Sequence, residues 1–331
     1  MGILISGFFT GGISSIFTVQ LLINFMSLAI ISPGRNPQIW IDALRKYDPE
    51  IKIQVYPEIQ HPEEVEMALL WQHPRGYLKT FPNLKLISSL GAGVDHILSD
   101  PAVPDSMPIV RIVDEKLTWS MTNYVVMGVL NFHRQLTRYQ KDQKRKVWDM
   151  TNPEIPVRVG VMGVGALGGD VLDKLNYMGF DVVGFGFSEK ESFPYPYFSK
   201  KQLQEFLDNI NVLVCLLPLT PDTEGILNKN LFEKCQKGTF LINVARGKHL
   251  VEEDLIPAID EGYLSGALLD VYRVEPLPEE HPFWEESRIQ LTPHIASVTN
   301  PTAAAPQIIE NFKRMKSNQA LINLVNRDRG Y

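Results

Sequence analysis

The chain has 331 residues, 44% of them hydrophobic and 21% charged. That is the composition of an ordinary globular protein of about two domains, and it excludes a disordered chain, a fibre and a multi-span membrane protein. Set against each other, 32 Lys and Arg and 38 Asp and Glu leave a net charge of −6, which argues against a nucleic-acid partner. The two cysteines, Cys215 and Cys235, belong to no CxxC and no Cys/His cluster. Neither a disulfide framework nor a bound metal is therefore expected, and a reduced cytoplasm is the expected compartment.

No charged residue precedes Arg35. Residues 1–25 are apolar but broken by Gly, Ser, Thr, Gln20 and Asn24. They lack the positive flank and small-residue cleavage site of a signal peptide, and are diluted for a membrane span. The pattern changes at Met26, which reads as the working start, with residues 1–25 as an upstream extension. The alternatives are a membrane anchor or a real structural segment.

From 26 to 118, short apolar runs at 27–32, Ile51–Tyr56, Leu84–Ser89 and Ile109–Val113 read as strands between helical patterns and Pro-rich joints. This alternation predicts a parallel α/β layer. Residues 119–148 read as one long helix, with Tyr124, Met127, Leu130 and Leu136 at helical spacing. Its basic run, Lys141, Lys144, Arg145 and Lys146, reads as a solvated helix end rather than a nucleic-acid patch. Asn152–Pro156 is a linker. Six strand–turn–helix units then follow, with strands at Val157–Met162, Asp181–Phe185, Val212–Leu217, Thr239–Val244, Ala267–Asp270 and Ile289–Thr292, a doubly wound pattern. A helix over 304–316 closes the chain.

The first of these strands runs into Gly163-Val164-Gly165-Ala166-Leu167-Gly168. In a GxGxxG turn, Gly163 permits the tight bend, Gly165 lets a pyrophosphate approach the backbone, and Gly168 lets helix and strand pack closely. The N–H groups of the helix that Ala166 and Leu167 open would meet the phosphates. The second strand ends in Gly184-Phe185-Gly186-Phe187-Ser188-Glu189-Lys190. A terminal carboxylate for a ribose is missing, and so is an Arg for a 2′-phosphate. Ser188 and Lys190 could hold a phosphate and Glu189 a ribose, so NADP(H) and NAD(H) both stay open, the former slightly preferred.

Three residues follow other strands of this unit: Arg246 in Asn243-Val244-Ala245-Arg246-Gly247, Glu275 in Val274-Glu275-Pro276, and His294 in Thr292-Pro293-His294. The carboxyl ends of strands in a doubly wound sheet line the ligand crevice, so the topology would bring them together. Their types suit hydride transfer to a 2-oxo acid. Arg246 would bind the carboxylate and polarise the keto oxygen. His294 would donate a proton to that oxygen. Glu275 would favour the protonated imidazole and fix its orientation. Asp270 could face the nicotinamide. Taken singly, each has a bland reading as a salt-bridge partner, a turn residue or a structural histidine.

At these residues the sequence resembles the D-isomer-specific 2-hydroxyacid dehydrogenases, and within them the glyoxylate/hydroxypyruvate reductase A group. The resemblance runs from Met26 to Tyr331. It is carried by Ser89-Leu90-Gly91-Ala92-Gly93-Val94-Asp95, Leu216-Leu217-Pro218-Leu219-Thr220-Pro221-Asp222-Thr223, Asn243–Gly247, Glu275-Pro276-Leu277-Pro278, Pro293-His294 and Arg327-Asp328-Arg329-Gly330-Tyr331. The Ala68-Leu69-Leu70-Trp71 run also points to the subgroup. The resemblance implies that Arg246, Glu275 and His294 are catalytic, that Ala92, Gly93 and Val94 cradle the substrate carboxylate, and that Trp71 lines the pocket. It places Leu217, Pro218, Thr223, Val244, Ala245, Asp270 and His294 at the cofactor. It implies a two-lobed α/β fold: a Rossmann-type cofactor lobe over 119–305 and a smaller, flavodoxin-like substrate lobe over 26–118 and 306–331. It also implies a homodimer built partly through the helix at 119–148. Phe187 and Glu189 stand where the subgroup carries basic residues, and the 25-residue extension is foreign to its pattern.

The sequence thus predicts an NAD(P)H-dependent reductase of small 2-oxo acids, glyoxylate and hydroxypyruvate first. A dehydrogenase of another D-2-hydroxy acid is one alternative. A non-catalytic dinucleotide-sensing module of the same fold is another, because fold alone does not fix function.

Overall fold

A computed structural model describes residues 27–327 and Gly330. The apolar segment 1–25, Met26 and the closing Asp328, Arg329 and Tyr331 lie outside the described residues.

The first half builds a five-stranded sheet in the chain order β1 (Ser27–Ile31), α1 (Gln38–Tyr47), β2 (Lys52–Val55), β3 (Val65–Leu70), β4 (Leu86–Ser89), α2 (Asp95–Leu98) and β5 (Ile109–Val110). All strands are parallel, in the spatial order β2-β1-β3-β4-β5, which is the flavodoxin-like order. The central β1 and β3 are buried along their whole length, as expected of strands covered on both faces. The β3 run was not read as a strand from the sequence, because a charged Glu66 interrupts it. Glu66 is buried but ion-paired to Lys85 at 2.6 Å.

Next come α3 (Glu115–His133) and α4 (Leu136–Arg145). The single helix expected over 119–148 is therefore two helices. The break is made by a turn and by the linker that folds onto it. Gln135 takes a left-handed conformation at φ +56°, and the linker folds back onto the gap. Ile155 N–H donates to His133 O at 2.9 Å, and Arg138 donates to Thr151 O at 2.9 Å.

The second half is β6 (Arg158–Met162), α5 (Ala166–Tyr177), β7 (Asp181–Gly186), β8 (Tyr197–Ser199), α6 (Leu203–Asp208), β9 (Val212–Cys215), α7 (Lys229–Phe232), β10 (Thr239–Asn243), α8 (Glu252–Asp260), β11 (Leu264–Leu269) and β12 (Ile289–Leu291). Its parallel sheet has seven strands, β12-β11-β10-β9-β6-β7-β8, rather than the six expected. The extra β8 is three residues long and follows Pro194 and Pro196, too short for a period-two signal. The last helix, α9 (Pro301–Lys316), returns to the first sheet, where Ala304, Ile308, Ile309 and Phe312 pack with Leu28, Ile30, Trp40 and Leu44.

Register decides where the loops go. In the large sheet Met162 aligns with Cys215, Cys215 with Asn243, Asn243 with Leu269, and Leu269 with Leu291. The segments that follow these residues therefore leave from one edge. In the small sheet Ile31 aligns with Leu70 and Leu70 with Ser89. The turns after β1, β3 and β4 likewise share an edge.

The segment after β3 is pinned by a buried pair. His73 Nε2 lies 2.9 Å from Asp100 Oδ2, and Asp100 also accepts from Gly76 N–H and Ala102 N–H. Burial alone would raise the Asp100 carboxyl. The donors at Ala102, Gly76 and His73 outweigh it and hold the carboxyl below its ordinary value. A depressed folded value stabilises the fold above the ordinary carboxylate range and loses that contribution as pH falls through it. Replacing Asp100 by Ala orphans three donors. Urea unfolding at neutral pH should show a loss of about 3 kcal/mol, and the gap between variant and parent should narrow in acid.

Candidate active site

The edge of the large sheet carries the glycine turn between β6 and α5. Gly163 leaves β6 at φ +101°, and a Cβ there would stand 2.5 Å from the Leu216 carbonyl oxygen. A Cβ on Gly168 would stand 1.9 Å from Gly163 O, whereas one on Gly165 would meet nothing within 4 Å. Two glycines are thus demanded by packing, and the third leaves open space above the backbone. Gly165 is also the N-cap of α5, without a side-chain cap. The first N–H groups of α5, beginning at Ala166 and Leu167, are therefore free for an anion, with the helix dipole behind them. These residues fit a dinucleotide pyrophosphate.

Beyond β7, Ser188 and Lys190 flank the same opening. Lys190 Nζ donates to Val164 O at 3.3 Å and lies 4.7 Å from the Phe193 ring centre. Two further cations stand beside them. Lys200 lies 5.0 Å from the Phe187 ring, and Lys201 pairs with Glu189 at 3.8 Å. These two come from the turn after β8, so their nearness was invisible in the sequence around Phe187. Across the cradle, Thr223 Oγ1 donates to Pro218 O at 2.6 Å and fixes the turn after β9. Leu217, Val244 and Ala245 are buried.

His294 and Glu275 meet at the same edge. His294 Nδ1 lies 2.7 Å from Glu275 Oε2, and Glu275 Oε1 accepts from Tyr272 N–H at 3.0 Å. Burial would raise the Glu275 carboxyl. The hydrogen bonds from His294 and Tyr272, with the nearby charges of His294 and Arg246, overcome that and hold it below its ordinary value. With Nδ1 donating to a carboxylate, Nε2 is the nitrogen left to exchange a proton.

His294 has a left-handed backbone, φ +54°, an uncommon conformation for a side-chain-bearing residue. Asp270 holds the chain in it. Asp270 Oδ1 accepts from Thr292 Oγ1 at 2.6 Å and Ile295 N–H at 2.8 Å, and Oδ2 accepts from Ala296 N–H at 2.8 Å. Both oxygens of Asp270 are thus occupied within the His294 turn. Tyr124 of α3 adds a hydrogen bond to Thr292 Oγ1.

Arg246 points from the large sheet to the small one. Its Nε donates to Asp95 Oδ1 at 2.9 Å, and its Nη1 donates to Ala245 O at 2.7 Å. Asp95 opens α2, directly after the Ala92-Gly93-Val94 turn. Burial would raise its carboxyl, but the charge of Arg246 prevails and holds it low. A Cβ on Gly93 would fall 1.6 Å from Arg246 Nη2, so this guanidinium nitrogen lies against the turn.

Trp71, which follows β3, completes the wall. Its ring centre is 6.4 Å from that of His294 and 5.2 Å from that of His96. Desolvation pushes His96 down to about 4, so the imidazole under Trp71 is neutral. A Cβ on Gly91 would press on the Trp71 ring at 2.8 Å. Asp95 and His96 carried no role in the sequence reading. Asp95 could have been suspected only as the acid closing the glycine run, and no spacing linked it to Arg246, 151 positions away. Among the described residues no His, Cys, Asp and Glu cluster could hold a metal, and no helix is long and apolar enough to cross a membrane.

Comparison with known proteins places this site in context. The family model of the D-isomer specific 2-hydroxyacid dehydrogenase NAD binding domain matches residues 126–296. A glyoxylate/hydroxypyruvate reductase A of Yersinia enterocolitica is 35% identical over 314 residues, spanning 92% of this chain and 100% of that one. A solved D-isomer specific 2-hydroxyacid dehydrogenase of Xanthobacter autotrophicus, in complex with NADPH and MES, is 35% identical with a TM-score of 0.87, over 92% of this chain and 99% of that one. An NADPH-dependent glyoxylate/hydroxypyruvate reductase of Sinorhizobium meliloti, in complex with NADP and sulfate, is 34% identical with a TM-score of 0.85, over 92% and 100%.

The contact at Gly93 gives a direct test. The end of a flexible arginine moves more easily than backbone, so Gly93→Ala should displace Arg246 while leaving the fold intact. Turnover per active site should fall about 100-fold, the cost of misplacing a binding group by about an ångström. The melting temperature should change little.

Proposed function

The chain belongs to the D-isomer specific 2-hydroxyacid dehydrogenases, and from that premise we propose that it reduces small 2-oxo acids, glyoxylate to glycolate and hydroxypyruvate to D-glycerate, with NADPH preferred over NADH. The observation that carries this reading is the His294–Glu275 hydrogen bond at 2.7 Å, set on the same sheet edge as Arg246. A sensor has no use for an imidazole aimed by a carboxylate. The relatives support the substrate class, since those of Yersinia and Sinorhizobium are named glyoxylate/hydroxypyruvate reductases. The Xanthobacter and Sinorhizobium structures hold NADPH and NADP, and Lys190, Lys200 and Lys201 give this chain cations for a 2′-phosphate beside Ser188.

The residues divide the work as follows. Gly163, Gly165 and Gly168, with the opening of α5, receive the pyrophosphate. When bound, the reduced nicotinamide supplies the hydride. Arg246 binds the substrate carboxylate with the donors that Asp95 and Ala245 leave free, and the backbone of Ala92, Gly93 and Val94 faces the same group. Its positive charge also favours the negative charge that grows on the keto oxygen. His294 holds a proton on Nε2 and delivers it to that oxygen, while Glu275 holds the ring in place through Nδ1. Trp71 closes the far side and excludes water.

The lobes assigned to this work are 26–118 with 306–331 and 119–305, although both 119 and 306 fall inside helices, α3 and α9. We also propose a homodimer. Trp119, Trp148 and Met150, in and just beyond the α3–α4 pair, are 68%, 91% and 76% exposed, an apolar set that a second copy would cover. Two buried free cysteines accord with a cytoplasmic setting.

The test follows loss of reduced-nicotinamide absorbance with glyoxylate and hydroxypyruvate, each with NADPH and NADH. Both acids should oxidise the cofactor, faster with NADPH. Protein that binds the dinucleotide yet oxidises it with neither acid would overturn the reading.

A further inference from the structure

Arg35 is a cation at the cleft that the reaction as described does not use. It lies in the turn after β1, next to Gly34 at φ +74°. Ile31, Leu70 and Ser89 are aligned across the small sheet, so this turn shares its edge with Trp71 and with the 91–94 turn. The Arg35 guanidinium carbon sits 4.5 Å from the centre of the Trp71 ring. That ring is the one beside His294, at 6.4 Å. Among the described residues Arg35 has no carboxylate partner. Arg246, the other arginine at this cleft, is by contrast paired with Asp95. Arg35 is exposed at the rim, so its donors are open to an incoming anion, and what burial it has lowers its pKa.

The geometry of the substrate says what could balance it. In the orientation proposed above, the C1 carboxylate meets Arg246 and the keto oxygen meets His294. A tail that runs from there along the Trp71 ring meets Arg35. We infer that Arg35 binds an anionic group at the far end of the substrate, so that the site accepts dicarboxylic 2-oxo acids in preference to apolar ones of the same size. This rests on the reductase reading and extends it to the substrate's tail. Glyoxylate has no tail and cannot report on it. A guanidinium stacked on an indole keeps its N–H edge free for a carboxylate, so the contact with Trp71 orients Arg35 without using up its donors.

The experiment compares kcat/KM, with NADPH, for oxaloacetate and for its isostere with an uncharged tail, 4-methyl-2-oxopentanoate, with glyoxylate and hydroxypyruvate alongside. The full chain is assayed as parent, Arg35→Leu and Arg35→Lys. Taking the ratio of the two acids within each protein cancels any loss of active enzyme. The parent should favour oxaloacetate. Arg35→Leu should lower that ratio about 10- to 100-fold, the worth of a charge-assisted hydrogen bond, and Arg35→Lys should restore part of it. A ratio unchanged in Arg35→Leu, or a parent that favours the isostere, would overturn the inference while glyoxylate reduction stands. A parent that binds NADPH yet turns over neither glyoxylate nor hydroxypyruvate would overturn the reductase reading and this inference with it.

Discussion

The role proposed for His294, giving up a proton at Nε2, needs the ring held at its other nitrogen, and the hydrogen bond from His294 Nδ1 to Glu275 is that hold. It sets the tautomer and the ring plane. The surroundings maintain it. Tyr272 N–H takes the second oxygen of Glu275. Asp270 clamps the backbone on the far side of His294 and keeps it at φ +54°. Strain of this kind persists only where neighbouring contacts over-determine it. Here the three hydrogen bonds to Asp270 do so.

The substrate needs a second fixed point, and the fold supplies it across the two sheets. Arg246 leaves the large sheet and is gripped by Asp95 of the small one. The ion pair aligns the guanidinium and at the same time joins the lobes at the cleft. Exposed ion pairs contribute little, but this one is largely shielded, with 24% and 23% of the two side chains exposed. Its value is positional. Because Gly93 leaves no Cβ in the way, the guanidinium can lie directly against the 92–94 turn.

Much of this was legible in the sequence because it is local. A strand, three glycines and a helix declare a phosphate cradle within ten residues. Arg246 and His294 stand a few residues past apolar strands, and Glu275 follows β11 by six, so the doubly wound rule predicted their common edge. What was not legible depends on contacts between distant segments. The break between α3 and α4 is made by a linker that folds back on His133 and Arg138, while the local periodicity runs on through it. The Glu66 in β3 disguised a fully buried strand until Lys85 was seen to pair with it. Asp95, His96 and Arg35 gain their meaning from Arg246 and Trp71, which no spacing connects to them.

The central claim is that Glu275 holds the Nδ1 proton of His294, and nitrogen-15-edited proton NMR of histidine-labelled protein tests it most directly. The account predicts one downfield imidazole N–H signal, shielded from exchange with water, that is missing in His294→Gln and also lost in Glu275→Gln. A signal assigned to His294 that persists unchanged without the Glu275 carboxylate would contradict it.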